Sequence, residues 1–270
     1  MRKAVSGIGQ KEMMDAMGDL FRTKVVLVTG GSSGIGRSTA LLFAEGGAKV
    51  VVAARRAAEG EKTVSMIKEA GKEACFVHTD VSRTSDVEAM VARCVETYGR
   101  LDYAFNNAGI EGSIYVPTAD YDEAVWDQVI DVNLKGVWRC MKYEIPQILK
   151  QGKGAIINMS SVAGLEGGRI MGGAYYASKH GVIGLTRAAA LEYATQGIRI
   201  NAVCPAWIET AMADRVFANN EVIEEQTSKM TPIGRAGRAE EVAEAVVWLC
   251  SDAASFVTGH ALPIDGGATA

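Results

Sequence analysis

Six short apolar runs, rich in β-branched residues and lacking polar alternation, recur along the chain with amphipathic stretches between them. They are KVVLVT (24–29), AKVVVAA (48–54), ACFVHT (74–79), LDYAFN (101–106), GAIINMS (154–160) and IRINAVC (198–204). A strand with water on one face alternates, whereas an unalternating strand is covered on both. Parallel neighbours need long crossovers, and right-handed helical crossovers place helices on both faces of one sheet. The intervening stretches have that character. The clearest sets Val87, Met90, Val91, Cys94 and Val95 on one face, with Gly99 as stop and Ser85 and Glu88 in front at capping-box spacing. A seventh run, HALPI (260–264), carries Pro263, which cannot donate to a ladder and so favours a sheet edge. The pattern predicts an α/β fold: a doubly wound sheet of about seven mainly parallel strands with helices on both faces.

No linker, repeat or low-complexity segment divides residues 22–270, which read as one domain. The polar, Met-rich leader 1–21 has no assigned role and is a candidate for disorder. With 28 Lys and Arg against 32 Asp and Glu, the net charge of −4 points to neither a nucleic-acid nor a membrane partner. There is no signal peptide and no run near the roughly 18 apolar residues of a membrane span, so a cytoplasmic location is expected. The five cysteines are scattered and lack a C-x-x-C spacing; they read as buried, reduced thiols. The three histidines show no ligand spacing, and no metal is expected.

In a sheet of this kind ligands sit beyond the carboxyl ends of the strands. The first run enters TGGSSGIG (29–36), with glycines at 30, 34 and 36 and a helical pattern from Ile35. A strand, a glycine turn and a helix start present amide N–H groups and the helix dipole to a pyrophosphate, a Rossmann-type arrangement for a dinucleotide. About twenty residues beyond such a turn, NAD sites place an acid on the ribose 2′-OH. Here the second run ends VVVAARR (50–56), with Arg55 in that region and no carboxylate before Glu59. A guanidinium can bind a 2′-phosphate bidentately, so Arg55 argues for NADP(H), with NAD as the alternative. Ser32 and Arg37 stand where they could assist.

GGAYYASKHG (172–181) places Tyr175 four residues and Tyr176 three residues before Lys179. Both spacings share a helix face, so spacing does not choose between them. A neighbouring ammonium favours the phenolate, which makes a Tyr–Lys pair a workable acid–base device for a developing alkoxide.

Taken in order, TGGSSGIG, NNAG (106–109), Asn133 in DVNLKG, SSVAG (160–164) and Y-x-x-x-K at 175–179 resemble the short-chain dehydrogenase/reductase family over about residues 22–270. The resemblance selects Tyr175 as general acid/base and implies that Lys179 lowers its pKa and bonds the nicotinamide ribose. It implies Ser161 on the substrate oxygen and Asn133 on a proton-relay water. Around the cofactor it implies Gly30, Ser32, Ser33, Gly34, Ile35 and Gly36 of the turn, Arg55, and Asp80 with Val81 at the adenine. Asn107, Ala108 and Gly109 would lie along the cofactor, and Pro205, Ile208 and Thr210 would clasp the nicotinamide. Strand alternation separately keeps Ser160 from sharing the role of Ser161.

Two departures stand out: Ala206 replaces the usual glycine after the proline, and the stretch from Ser161 to Tyr175 is one residue longer than is common, the extra residue assigned to EGGRIMGG (166–173). Segments 111–121, 166–171 and 207–230 would set specificity, the last as a lid. Ile114, Tyr115, Ile170, Met171, Trp207 and Met212 suggest an apolar pocket for a secondary alcohol or ketone. Reduction of a 3-oxoacyl thioester, and a dinucleotide-binding regulator without turnover, are the alternatives. The resemblance also implies a homo-oligomer, a tetramer or dimer.

Overall fold

The computed structural model describes residues 20–168, 170–217 and 231–270. The seven runs form seven strands: β1 (Val25–Thr29), β2 (Lys49–Ala54), β3 (Ala74–His78), β4 (Tyr103–Asn106), β5 (Gly154–Met159), β6 (Ile198–Pro205) and β7 (Ala261–Ile264). They make one sheet in the order β3-β2-β1-β4-β5-β6-β7, and every pairing is parallel. Pro263 lies on the edge strand β7, opposite Cys204. The helices that connect the strands are α1 (Gly34–Glu45), α2 (Ala57–Glu69), α3 (Thr84–Tyr98), α4 (Glu123–Ile130), α5 (Gly136–Leu149), α6 (Gly173–Tyr193), α7 (Ala211–Phe217) and α8 (Ala239–Cys250).

The absence of alternation is explained by a core on each side. Val26 and Val28 of β1 join Phe43 of α1 and Val242 and Val246 of α8, whereas Val25 and Leu27 join Met90 of α3, Ile148 of α5 and Val182 of α6. Each such side chain, removed from water, contributes about 1.5–3 kcal/mol. Phe21, the last residue of the leader segment, is 1% exposed and sets its ring edge-on against Phe43 and Tyr103.

Two local expectations are corrected. Helix α3 ends at Gly99 in the left-handed conformation (φ 78°), but it starts at Thr84, after Arg83. Ser85 therefore lies inside the first turn, where its Oγ meets Asp86 instead of capping, and no capping box with Glu88 forms. Four cysteines are buried, but Cys75 is only half-buried, because β3 is an edge strand. No helix among the described residues is long and apolar enough to cross a membrane.

The order of strands reverses at β1. The chain leaves β1 toward β2 and β3, then returns past it to β4. The loops after β1 and β4 therefore separate above the sheet and open a crevice there.

Candidate active site

A cavity of about 760 Å³ occupies this crevice. On one side it is walled by Gly30, Ser32, Ser33, Gly34 and Ile35 of the glycine turn, by Arg55 after β2, and by Asp80 and Val81 after β3. Asn107, Ala108 and Gly109 after β4 run along its floor, and Ser161, Tyr175 and Lys179 stand with Pro205, Ile208 and Thr210 at the other end. Seventeen of the nineteen residues that sequence reasoning assigned to the site thus line one cavity (nineteen less Gly36 and Asn133).

The two exceptions act from behind the wall. Gly36 faces the turn: a Cβ on it would collide with the Gly30 carbonyl oxygen and stand 2.6 Å from Asn107 Nδ2. The same Asn107 amide donates to Thr29 O at 3.0 Å and Gly30 O at 3.3 Å, tying the two loops together. Asn133 is 1% exposed in a π-helical turn, Asp131–Lys135, between α4 and α5. Its Oδ1 accepts from Ile110 N (2.8 Å), and its Nδ2 donates to Ile110 O (2.9 Å) and Ser178 Oγ (3.3 Å). It thereby fastens the loop after β4 to α6, while Ser178 Oγ donates to Tyr175 O at 2.7 Å. A Cβ on Gly109 would lie 3.3 Å from Asn133 Oδ1 and 3.8 Å from Lys179 Nζ, so the three residues meet at one point.

Helix α6 presents Tyr175 and Lys179 one turn apart. The Lys179 ammonium lies 5.5 Å from the centre of the Tyr175 ring and donates to Met159 O at 2.9 Å. Burial pulls its pKa down to about 8. Burial also pushes the Tyr175 phenol up to about 12, against the lowering effect of its hydrogen bond with Ser161. In the free protein desolvation is therefore the largest influence on Tyr175, and its net shift is upward. Ser160 also lines the cavity, and its hydroxyl donates to Lys179 O at 2.9 Å, which ties it to the helix. Tyr176 also lines the cavity, and its hydroxyl occupies the space a Cβ on Gly168 would fill.

Some features were not anticipated. Arg56, not Arg37, reaches the serine hydroxyls of the turn, donating to Ser33 Oγ at 2.6 Å and Ser32 Oγ at 3.2 Å. Arg37 donates to Ser32 O and to Thr63 Oγ1, beneath the turn and out of the cavity. Burial pushes Asp80 up, but two hydrogen bonds from Ser82 and the charges of Arg55 and Arg83 hold it below the usual carboxylate range. Of the six apolar pocket candidates, Ile170, Met171, Trp207 and Met212 line the cavity; Ile114 and Tyr115 do not. Ile114 instead bridges Met171 in antiparallel fashion, and Tyr115 N donates to Ile170 O at 2.8 Å. Arg215 of α7 forms a forked ion pair with Glu111 (2.6 and 3.2 Å) across the rim. The greater part of the segment expected to be a lid, 218–230, lies outside the described residues, as do Arg169 and residues 1–19 of the leader.

The residues present fit a dinucleotide. Ser33 at the start of α1 makes no side-chain cap, so the first-turn amides of that helix keep their anion-binding capacity. No group of three or more His, Cys, Asp or Glu side chains set to hold a metal ion exists among the described residues.

A family model described as Enoyl-(Acyl carrier protein) reductase matches residues 30–269. Cyclohexanol dehydrogenase of Acinetobacter sp. (strain SE19) is 46% identical over 257 residues, which is 95% of this chain and 99% of that protein. The chain belongs to the short-chain dehydrogenase/reductase family. Levodione reductase has the same fold (TM-score 0.87, 39% identity, 92% of this chain and 98% of that one). So does carveol dehydrogenase from Mycobacterium avium, solved in complex with NAD (TM-score 0.88, 30% identity, 93% and 99% covered). Like the rest of the family, this short-chain dehydrogenase/reductase is an oxidoreductase built for a nicotinamide dinucleotide.

Proposed function

We propose that this protein interconverts a secondary alcohol on a compact apolar carbocycle and the matching ketone, with Tyr175 as the general acid/base. The carrying observation is the meeting of Tyr175, Ser161 and Lys179 at the end of the cavity where Ile170, Met171, Trp207 and Met212 supply apolar wall. The bound nicotinamide would accept or supply hydride. Ser161 donates to the substrate oxygen, and Tyr175 Oη takes the hydroxyl proton in oxidation or returns it in reduction. Lys179, held by Met159 O and Ser160, would bond the nicotinamide ribose, and its charge favours the phenolate. Asn133 fixes the Ile110 backbone beside Lys179 and would hold the proton-relay water. Turnover of cyclohexanol-type alcohols, set beside an acetoacetyl thioester, tests the reading. Preference for the thioester would replace it with the 3-oxoacyl reductase alternative, the activity named for a 42% identical relative from Staphylococcus aureus. Cofactor binding without turnover of either would favour the regulator.

NADP is the cofactor this reading favours. Arg55 is exposed in the cavity wall and shares the adenine end with Asp80, so it can meet a 2′-phosphate. Arg55→Asp should weaken NADPH binding about 10- to 100-fold, the worth of a hydrogen-bonded charge pair, and leave NADH binding nearly unchanged. Titration of both cofactors checks this; an unchanged ratio leaves Arg55 a surface residue with no part in cofactor choice.

Tyr121 braces the wall from behind. Its hydroxyl accepts from Ser113 N at 3.0 Å, its ring fills the space beside Gly172, and Trp126 stands edge-on to it at 6.2 Å. Tyr121→Phe removes that acceptor and frees the loop that carries the Ile114–Met171 bridge. KM for the alcohol should rise about fivefold, equivalent to one neutral hydrogen bond, with kcat and cofactor affinity kept. We take residues 22–270 as one catalytic unit with a lid at 207–230, cytoplasmic and assembled as a dimer or tetramer.

A further inference from the structure

Beneath the cavity the protein buries an acid that makes no ion pair among the described residues. Glu144 of α5 is 0% exposed; its Oε2 accepts from Asn106 Nδ2 at 3.0 Å, and its Oε1 has no partner among the described residues. Asn106, 1% exposed at the end of β4, shows the complementary deficit. Its Nδ2 also donates to Asn158 Oδ1 at 3.1 Å, yet its Oδ1 has no partner among the described residues. The two unsatisfied oxygens thus belong to two groups already bonded to each other, and both are acceptors. An ionised carboxylate leaves both unpaired in a desolvated place, which native structures avoid. One proton on Oε1 would satisfy both.

We propose that Glu144 is a neutral carboxylic acid in the folded protein, donating its Oε1 proton to Asn106 Oδ1, and that this closed acid–amide pair positions the catalytic elements. The groups that face it agree. Cys140 on α5 and Cys94 on α3 are thiols that burial pushes up, and therefore neutral. Asn106 on β4 carries no charge. The neighbouring Arg139 directs Nη2 to Asp131 Oδ1 at 2.8 Å and Nη1 to the Val81 and Asp131 carbonyls; its Nε is buried without a partner among the described residues, and it makes no ion pair with Glu144. Burial moves Glu144 from 4.5 to about 8, against the lowering effect of the Asn106 bond.

From Asn106 the chain of bonds continues through Asn158 Nδ2 to Thr186 Oγ1 of α6 at 3.0 Å. It therefore joins three segments: β4, whose next residue Asn107 enters the cavity; β5, which leads to Ser160 and Ser161; and the helix that bears Tyr175 and Lys179. Glu144 touches none of the reacting atoms and is a positioning residue. Only this positioning role rests on the proposed oxidoreductase function; the protonation state does not.

The test compares wild type with Glu144→Gln, an amide that keeps the paired geometry and never ionises. An acid whose folded pKa is raised holds its proton in the fold and loses it on unfolding. Wild-type stability should then fall as pH rises from about 5 to 8 and level off above. The melting-temperature difference between Glu144→Gln and wild type should grow across that window, by on the order of 5 °C, and stay constant beyond it. A difference that does not vary with pH overturns the proposal. Infrared spectra at neutral pH provide a second reading: a buried carboxylic-acid band present in wild type and missing in Glu144→Gln supports it, and no difference overturns it. For positioning, Glu144→Gln should keep kcat within about twofold, whereas Glu144→Leu, of similar volume without the pair, should lose roughly tenfold or more. Equal kcat in Glu144→Leu removes the positioning role and leaves the protonation state to the first two measurements.

Discussion

Tyr175→Phe is expected to lower kcat by about 10²- to 10⁴-fold, the usual worth of a positioned proton donor or acceptor. The substitution deletes a single oxygen. The ring remains, 9% exposed and 5.5 Å from Lys179 Nζ, and α6 keeps its Ser178 and Ser160 ties. Cofactor dissociation constants should accordingly stay within about twofold of wild type, since a group acting mainly in the transition state is not needed for ground-state binding. Burial also holds the phenol protonated, near pKa 12 in the free protein. Alcohol oxidation, which needs the phenolate, should then speed up as pH rises, and ketone reduction should slow. Stopped-flow and steady-state rates of the variant against both directions provide the check. Turnover within a few-fold of wild type would move the acid–base role to another group, with Tyr176 first in line.

Gly36→Ala should cost the protein its cofactor. The new methyl group would meet the Gly30 carbonyl oxygen and Asn107 Nδ2, the two groups that tie the glycine turn to the loop after β4. Neither is the free end of a flexible chain, so the turn must shift. Overpacking of this kind costs about 1–3 kcal/mol, and the displaced amides no longer converge on the pyrophosphate. Affinity for either nicotinamide dinucleotide should drop at least roughly tenfold. Gly184, also within a helix, has nothing within 4 Å of an added Cβ. Gly184→Ala should leave binding unchanged and raise stability by about 0.5–1 kcal/mol. Calorimetric titration of the two variants separates local crowding from a general intolerance of helical alanine.

The sheet was legible because burial on both faces leaves an unmistakable pattern: each strand differs from its sequence run by one or two residues at its ends. The cavity lining was legible because chemistry-bearing residues follow the strands that deliver them. Where the reading stopped, the reason is geometric. Adjacent residues leave β2 on different courses, so spacing could not tell that Arg56 would reach Ser32 and Ser33 while Arg55 stayed in the open wall. A π-helical turn has no periodic signature, which hid the tie between Asn133 and Ile110. Ile114 and Tyr115 look like pocket wall by composition, yet they spend their positions on the bridge to Ile170 and Met171. Glu144 occupies one place in an otherwise ordinary helix, and only the packed interior exposes its unpaired oxygen.

The most direct measurement uses a cyclic secondary alcohol carrying deuterium at its carbinol carbon, incubated with the protein and the oxidised cofactor. If the protein is the alcohol–ketone oxidoreductase proposed here, the label moves to the nicotinamide ring, the ketone forms in equal amount, and Tyr175→Phe abolishes both. Label released to water, or ketone formed as fast in Tyr175→Phe as in wild type, would contradict the account.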